Sequence, residues 1–471
     1  MTSFASLPLK QLFLANLATL GYHEMTEIQA ASLPAVLEGR DLIAQAKTGS
    51  GKTAAFGIGI LHKLNPAWFA VQGLVLCPTR ELADQVAGEL RRLARGVGNV
   101  KILTLTGGVS MRPQIASLEF GAHIVVGTPG RIRDHLGRAS LDLSKVQTLV
   151  LDEADRMTDM GFYDEIANIV RATPQRRQTL LFSATYPDDI REATAPFLRD
   201  PLEIAVESRH DATRIDQRFY EIGFDGRVDA VARLLRHHKP VSALAFCNTK
   251  ARCREVAEAL REQGFSALAL YGELEQQERD EILVLFANRS CSVLVATDVA
   301  ARGLDIADLD TVINVDVSKD PEVHVHRIGR TGRGAGSGMA HTLCAPNESK
   351  WVRLVEEYQD AQAVWERLDA LEEDADAVAP APMVTLNIAG GKKAKLRAGD
   401  LLGALTGDAG LTKDQVGKIN IGEFSSYVAL ERHAARAAVA RLSAGSTLGP
   451  DYGAIKGRWF KMRFVDPFGK L

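Results

Sequence analysis

The chain has 471 residues, 46% of them hydrophobic, and a formal net charge of −3. That length exceeds what one compact core organises and implies two or three domains. The absence of a membrane-length apolar stretch or a signal-like start excludes a membrane partner and leads us to expect a soluble cytoplasmic protein. The charge is unevenly spread: residues 383–471 carry 14 Lys+Arg against 7 Asp+Glu, and residues 1–382 carry 42 against 52. A basic tail on an acidic body suggests a polyanionic partner for the tail. The five cysteines, Cys77, Cys247, Cys253, Cys291 and Cys344, show no C-x-x-C spacing and mostly sit in apolar runs such as "LVLCP"; they read as buried free thiols of a reducing compartment.

In chain order, short apolar runs alternate with helical patterns. The runs are "DLIAQ", "GLVLC", "KILTL", "HIVVG", "TLVLD" and "TLLFSAT", and after about residue 210 "ALAFC", "ALALY", "SVLVAT" and "TVINVD". Continuous apolar strands separated by helices indicate parallel sheets covered on both faces, and the restart near "VESRHDATRI" indicates two α/β domains in tandem. "ERLDALEEDADAVA" and the following "PAPM" read as a helix end and then a linker. The last segment, with "VTLNI", "RAGDLLGALTG", "GKINIGE", "SSYVALER", "HAARAAVARL" and "RWFKMRFV", reads as β-α-β-β-α-β, the plan of an RRM. The expected units are 1–208, 209–365, a linker at 366–382, and a small α+β unit at 383–466.

Two stretches of the first unit carry phosphate chemistry. "AQAKTGSGKT" (44–53) matches the P-loop pattern, with Ala46, Gly51, Lys52 and Thr53 in register, after an apolar strand and before a helix-like run. The backbone of Lys47, Thr48, Gly49, Ser50 and Gly51 is expected to wrap the phosphates, with Lys52 on the β/γ-phosphates and the Thr53 hydroxyl toward Mg²⁺. "TLVLDEADRM" (148–157) ends an apolar strand in acids; Asp152 is the expected Mg²⁺ partner and Glu153 the group that orients or deprotonates the attacking water.

Asp152-Glu153-Ala154-Asp155 is the tetrapeptide that names the DEAD-box ATP-dependent RNA helicases, and the chain resembles that family from residue 4 to about 345. "PTRELA", "TGG", "TPGR", "SAT", "ATDVAARGLD" and "HRIGRTGR" follow in the family's order, and "GYHEMTEIQ", with Phe4 seventeen residues before Gly21, resembles its adenine-recognising segment. The resemblance implies two RecA-like domains, ATP and Mg²⁺ as cofactors, and RNA as partner. It implies that Phe4 packs on adenine, that Gln29 pairs its carboxamide with the base edge, favouring ATP over GTP, and that Asp305 binds the ribose. Arg330 and Arg333 would reach the γ-phosphate as arginine fingers, worth about 10³–10⁵ in rate in related phosphoryl transfers, although such a basic run also suits RNA phosphates. Ser183, Thr185 and His326 resemble the elements coupling hydrolysis to domain contact. Thr79, Arg80, Gly108, Thr128 and Arg131 are the first-domain RNA candidates, and Thr249 and Thr297 those of the second; Arg80 and Arg131 equally suit structural ion pairs.

The tail resembles the C-terminal domain of DbpA-type members, which bind a hairpin of large-subunit ribosomal RNA. The segment from "GGKKAKLRAGD" to "GKIN" carries that resemblance, and Lys392, Lys393, Lys395 and Arg397 are its candidate contacts. The strand aromatics on which an RRM stacks bases are missing: "SSYVALER" offers Tyr427 alone and "VTLNI" none. The combined expectation is an ATP-dependent helicase that locally unwinds or remodels structured RNA, acting on large-subunit ribosomal RNA or a ribosome precursor. An RNA-stimulated ATPase clamp on RNA–protein complexes, and a ribosome-assembly binding module with incidental ATPase, stand beside it.

Overall fold

The computed structural model describes residues 2–46, 49–206, 215–301, 309–332, 338–372, 378 and 380–469. The first domain is built on β1 (Leu42–Gln45), β2 (Gly73–Leu76), β3 (Ile102–Leu105), β4 (Ile124–Gly127), β5 (Thr148–Asp152), β6 (Gln178–Ser183) and β7 (Leu202–Ala205). They form one sheet in the order β3-β4-β2-β5-β6-β1-β7, with parallel pairs throughout. Alternate residues of each strand serve opposite cores. Val75, Val126 and Val150 face one, with the helices Glu27–Glu38, Lys52–Lys63 and Arg80–Ala94, while Leu74, Val125 and Leu149 face the other. Burial of both faces accounts for the unbroken apolar runs in the sequence.

The second domain repeats the plan with β8 (Ile215–Glu221), β9 (Ala243–Cys247), β10 (Ala267–Leu270), β11 (Val293–Thr297), β12 (Thr311–Asn314), β13 (Gly338–Cys344) and β14 (Trp365–Glu366). The order is β10-β11-β9-β12-β13-β8-β14, again parallel. Of residues 366–379, read from sequence as a helix end and then a linker, Glu366 instead closes the edge strand β14 and Leu368–Ala370 form a 3₁₀ turn, while 373–377 and 379 lie outside the described residues. Leu368, Leu371 and Val378 pack against the core of this domain, and their burial overrides the acidic helix-like composition.

The tail forms an antiparallel sheet of β15 (Met383–Ile388), β16 (Val416–Ile421), β17 (Ser426–Glu431), β18 (Tyr452–Ile455) and β19 (Arg458–Val465), ordered β16-β17-β15-β19-β18. Helices Ala398–Thr406 and Arg432–Ser443 cover one face through Leu401, Leu405, Ala435 and Leu442, which meet Val384, Leu386, Ile388, Val428 and Leu430. The expected β-α-β-β-α-β gains one strand. Lys456 (φ 52°) and Gly457 (φ 72°) form a tight turn between β18 and β19, the positive-φ pair that two-residue hairpins require.

The opposite face of the tail sheet is also occupied. Thr385 points out of it and is fully buried, accepting from Asn288 Nδ2 at 3.1 Å and lying 2.7 Å from Ser290 Oγ. The Met383 amide donates to the Arg289 carbonyl, and Arg463 lies 3.6 Å from Glu281. The tail therefore rests this end of its sheet on the turn that leads into β11 of the second domain. All five cysteines are buried and free. Among the described residues no helix is long and apolar enough to cross a membrane.

Candidate nucleotide and RNA interfaces

In the first domain the candidate side chains other than Phe4 and Gln29 sit at or beyond the carboxyl end of a strand, where open parallel sheets bind ligands. The sheet order divides them. The P-loop after β1, Asp152 and Glu153 at β5 and Ser183 at β6 occupy one half of that edge; Thr79 and Arg80 after β2, Gly108 after β3, and Thr128 and Arg131 after β4 occupy the other.

On the nucleotide half, Lys52 opens the helix Lys52–Lys63 and its Nζ donates to the Ala46 carbonyl at 2.8 Å. The Ser50 hydroxyl is buried and finds no partner among the described residues. A phosphate oxygen would supply the acceptor that this hydroxyl lacks and that Lys52 now takes from the backbone. Gly49 and Gly51 have φ of 84° and 97°. A Cβ at Gly51 would lie 2.4 Å from Gln29 Nε2, because the Gln29 carboxamide donates to the Gly51 carbonyl (3.1 Å) and accepts from the Thr26 amide (3.0 Å). Gln29, 1% exposed, thus ties its own helix cap to the P-loop, with one further N–H and one lone pair on its carboxamide beyond these two bonds. Phe4 is 3% exposed, set edge-on to Tyr22 at 6.1 Å and packed in the core, so little of its ring face is open. Thr53 follows Lys52 in the same helix. Lys47 and Thr48, like Asp305 and Arg333 in the second domain, lie outside the described residues.

The acids at β5 are differentiated by their surroundings. Burial, with Glu153 and Asp155 adding to it and Lys52 opposing, pushes Asp152 up to about 7. Glu153 takes a left-handed backbone (φ 56°), costly for a residue with a Cβ, and its carboxylate accepts from Arg156 Nη1 at 2.7 Å in a buried pair. Asp155, which the sequence reading left without a role, is the joint of the site. Its Oδ2 accepts from the Ala184 and Thr185 amides (both 3.2 Å) and from Thr185 Oγ1 (3.3 Å), and its own amide donates to Ser183 Oγ (3.2 Å). Only its place as the third acid in the run hinted at this.

On the other half, Arg80 lies across the "TGG" turn so closely that a Cβ on Gly108 (φ 68°) would fall 1.5 Å from Arg80 Nη1. Thr79 caps the helix Arg80–Ala94 by accepting from the Leu82 amide, and Thr128 stands at the start of the helix Pro129–Gly137. Arg131 donates to Gln114 Oε1 (2.9 Å) and the Val109 carbonyl (3.1 Å). Gln114, a further residue missed in the sequence, also donates to the Thr106 carbonyl and meets His135 Nε2 at 3.0 Å. It braces the turn that carries Gly108.

In the second domain Thr249 caps the helix Lys250–Glu262 through the Arg252 amide, as Thr79 does in the first, and Thr297 ends the neighbouring strand β11. Asp298 next to it binds Arg327 in a two-pronged pair, both contacts 2.7 Å. Arg327 is buried, also donating to Asn248 Oδ1 and the Asp316 carbonyl, with its guanidinium 5.2 Å from the Phe246 ring centre. This arginine, passed over in favour of its neighbours, anchors the helix Pro321–Ile328, which carries His326 and leads to the buried Arg330.

In the tail, Lys392, Lys393, Lys395 and Arg397 are all exposed, with Leu396 buried between them as an anchor. The loop is fastened to the β16–β17 turn: the Lys392 amide donates to the Gly422 carbonyl (2.9 Å) and the Lys393 amide to the Glu423 carbonyl (3.0 Å). Lys456 reaches Asp400 Oδ1 at 3.0 Å, bringing the β18–β19 turn beside Arg397, whose amide bonds the other oxygen of Asp400.

Comparison with known proteins fits this arrangement. Residues 26–193 match the DEAD/DEAH box helicase family, 226–335 the helicase conserved C-terminal domain, and 385–451 the DbpA RNA binding domain. The ATP-dependent RNA helicase DbpA of Escherichia coli (strain K12) is 51% identical over 466 residues, 99% of this chain and 100% of that protein. The chain belongs to the DEAD-box ATP-dependent RNA helicases. The DEAD-box helicase CshA of Bacillus cereus (strain ATCC 10987 / NRS 248) is 44% identical over 371 residues, 79% of this chain and 70% of its own. Among solved structures, S. cerevisiae Dbp5 bound to RNA and ADP BeF3 superposes with a TM-score of 0.71 at 28% identity, covering 78% of this chain and 96% of that one. Mss116 bound to ssRNA and UDP-BeF gives 0.69 at 26%, covering 77% and 79%. As a DEAD-box helicase of the DbpA type, the protein is an RNA-dependent ATPase with two RecA-like domains and a C-terminal RNA-binding domain.

Proposed function

We propose that this DEAD-box helicase opens or remodels short stretches of structured RNA, that its substrate is large-subunit ribosomal RNA or a ribosome precursor in the cytoplasm, and that the tail chooses the site. The division is 1–208 and 209–365 for the RecA-like domains, 366–382 as the joining segment and 383–466 for the RNA-binding domain. In this reading Lys52 binds the β/γ-phosphates, Glu153 orients the water and takes its proton, and Arg330 and Arg333 complete the site from the second domain. Gln29 and Phe4 read adenine and Asp305 the ribose. Mg²⁺ would be held by Thr53 and Asp152 and would neutralise phosphate charge. Such a cation keeps waters and phosphate oxygens among its ligands. Thr79, Arg80, Gly108, Thr128, Arg131, Thr249 and Thr297 hold RNA backbone, a contact that is independent of sequence.

The observation that carries the ATP-driven part is Asp155. One carboxylate joins the end of the acid run to the Ser183–Thr185 turn, a path by which a change at the nucleotide would be passed to that turn. ATP and RNA then favour a common state, a reciprocal coupling. The test is strand displacement on RNA and DNA duplexes, with and without large-subunit ribosomal RNA, for the parent and Glu153→Gln. The parent should separate short RNA duplexes, most efficiently with ribosomal RNA present. Glu153→Gln should bind ATP and RNA without turnover, since an amide takes no proton. Parent-rate hydrolysis by Glu153→Gln would remove the role given to that carboxylate.

A further inference from the structure

Phe424 stands at the tip of the β16–β17 hairpin with 72% of its surface exposed. It is a central residue of the turn closed by the Gly422 amide on the Ser425 carbonyl (2.9 Å). The same turn accepts the two amides of the basic loop, and beneath it the buried Ser426 hydroxyl donates to the Gly390 carbonyl at 2.6 Å. The ring and the lysines therefore share one backbone-bonded platform. Scattered exposed apolar residues need no explanation, but this ring is displayed on a backbone-bonded turn beside Lys392, Lys393 and Lys395. Glu423, 3.8 Å from Lys393 Nζ, offsets part of that charge.

The sheet offers only part of the usual stacking surface. β15 has no aromatic, the outward face at Thr385, Ala429 and Val465 is buried, Tyr427 of β17 is half-buried, and Trp459 of β19 is 37% exposed against 72% for Phe424. A partner that rewards both clustered cations and an open aromatic face is nucleic acid with an unpaired base: phosphates for the lysines, a π-face for the ring. We propose that Phe424 is a base-stacking residue of the tail, taking one unpaired base of a structured RNA while Lys392, Lys393 and Lys395 hold the flanking phosphates. The assignment rests on the reading of the basic loop as an RNA surface.

The test uses the full-length protein and in vitro transcribed large-subunit ribosomal RNA, measuring affinity across a salt series and the RNA concentration for half-maximal ATPase. Phe424→Ala should weaken both by about 5- to 150-fold, the loss corresponding to one base–aromatic stack. Phe424→Leu should be as weak as Ala, and Phe424→Tyr should stay near the parent. The log–log salt slope of Phe424→Ala should match the parent, because a stacked base releases no counterions, whereas the combined Lys392, Lys393 and Lys395 to Ala variant should flatten it. Parent-like binding by Phe424→Ala, or full retention by Phe424→Leu, overturns the stacking assignment, the latter pointing to a plain apolar contact such as a protein partner makes. A changed slope in Phe424→Ala overturns it as well, since the substitution would then act through the lysines. If the lysine variant also binds like the parent, the reading of the basic loop fails; if only Phe424→Ala does, that reading stands and this inference alone is lost.

Discussion

Gly391→Ala should disable the basic loop without touching a charge. Gly391 has extended backbone (φ −146°), which any residue adopts, so the cost is steric alone. Its Cβ would fall 2.4 Å from the Gly422 carbonyl oxygen and 2.7 Å from that of Glu423. Both are main-chain atoms and cannot rotate aside. The loop must lift, breaking the two bonds made by the Lys392 and Lys393 amides. At about 0.5–1.5 kcal/mol net per bond, about 1–3 kcal/mol of local order is lost. Restoring that order on RNA weakens binding by about 5- to 150-fold. Half-maximal ATPase should need correspondingly more ribosomal RNA, with turnover at saturation and the salt slope like the parent's, since all four cations remain. Hydrogen exchange should show the Lys392 and Lys393 amides opened while β15 and β17 stay protected. Opened amides with parent-like affinity would refute the argument that the loop binds because it is held.

Thr385→Val keeps shape and removes the hydroxyl shared by Asn288 and Ser290, at a cost of about 1–3 kcal/mol for polar groups left buried; limited proteolysis should cut the 366–382 segment faster, and an unchanged rate would mean the contact does not hold the tail. Burial, aided by Arg327, holds His324 down to about 3, and burial, aided by His238, holds His341 there too. Between that value and the unfolded 6.5 the unfolded chain binds more protons, so stability is complete above 6.5 and falls as pH drops. The loss for the pair is about 3 kcal/mol at about pH 5.5. Hydrogen exchange in β8 and β13, corrected for intrinsic rates, reads it directly; equal protection at about pH 7.5 and about pH 5.5 would contradict the burial argument.

In the two RecA-like domains the strands legible in the sequence are mainly those buried on both faces, where "GLVLC" or "HIVVG" leaves no other reading. Those missed carry polar residues for particular reasons. β7 alternates at an edge, β8 is half exposed, and β13 buries His341 and Thr342 among apolar neighbours. Contiguous motifs such as the P-loop were legible because their partners are adjacent in the chain. Asp155 with Thr185, Arg327 with Asp298, and Gln114 with Arg131 join residues 30, 29 and 17 positions apart, and no local pattern announces such pairs. The seating of the tail was hidden for the same reason: Thr385 is an ordinary outward strand residue until Asn288 and Ser290, 97 and 95 positions earlier, arrive over it.

That seating gives the tail and the second domain a common frame. The basic loop and Phe424 are thereby joined to the domain that carries the ends of β9 and β11 through packed contacts as well as through the chain. In the proposed function an RNA gripped at the loop would be presented to Thr249 and Thr297 at a spacing those contacts set, like a workpiece against a ruler. Substrates would then be sorted by the distance between their anchoring element and the strand to be opened as well as by the anchor itself. Lengthening the RNA between those two points would then cost engagement even when each point alone is a perfect fit.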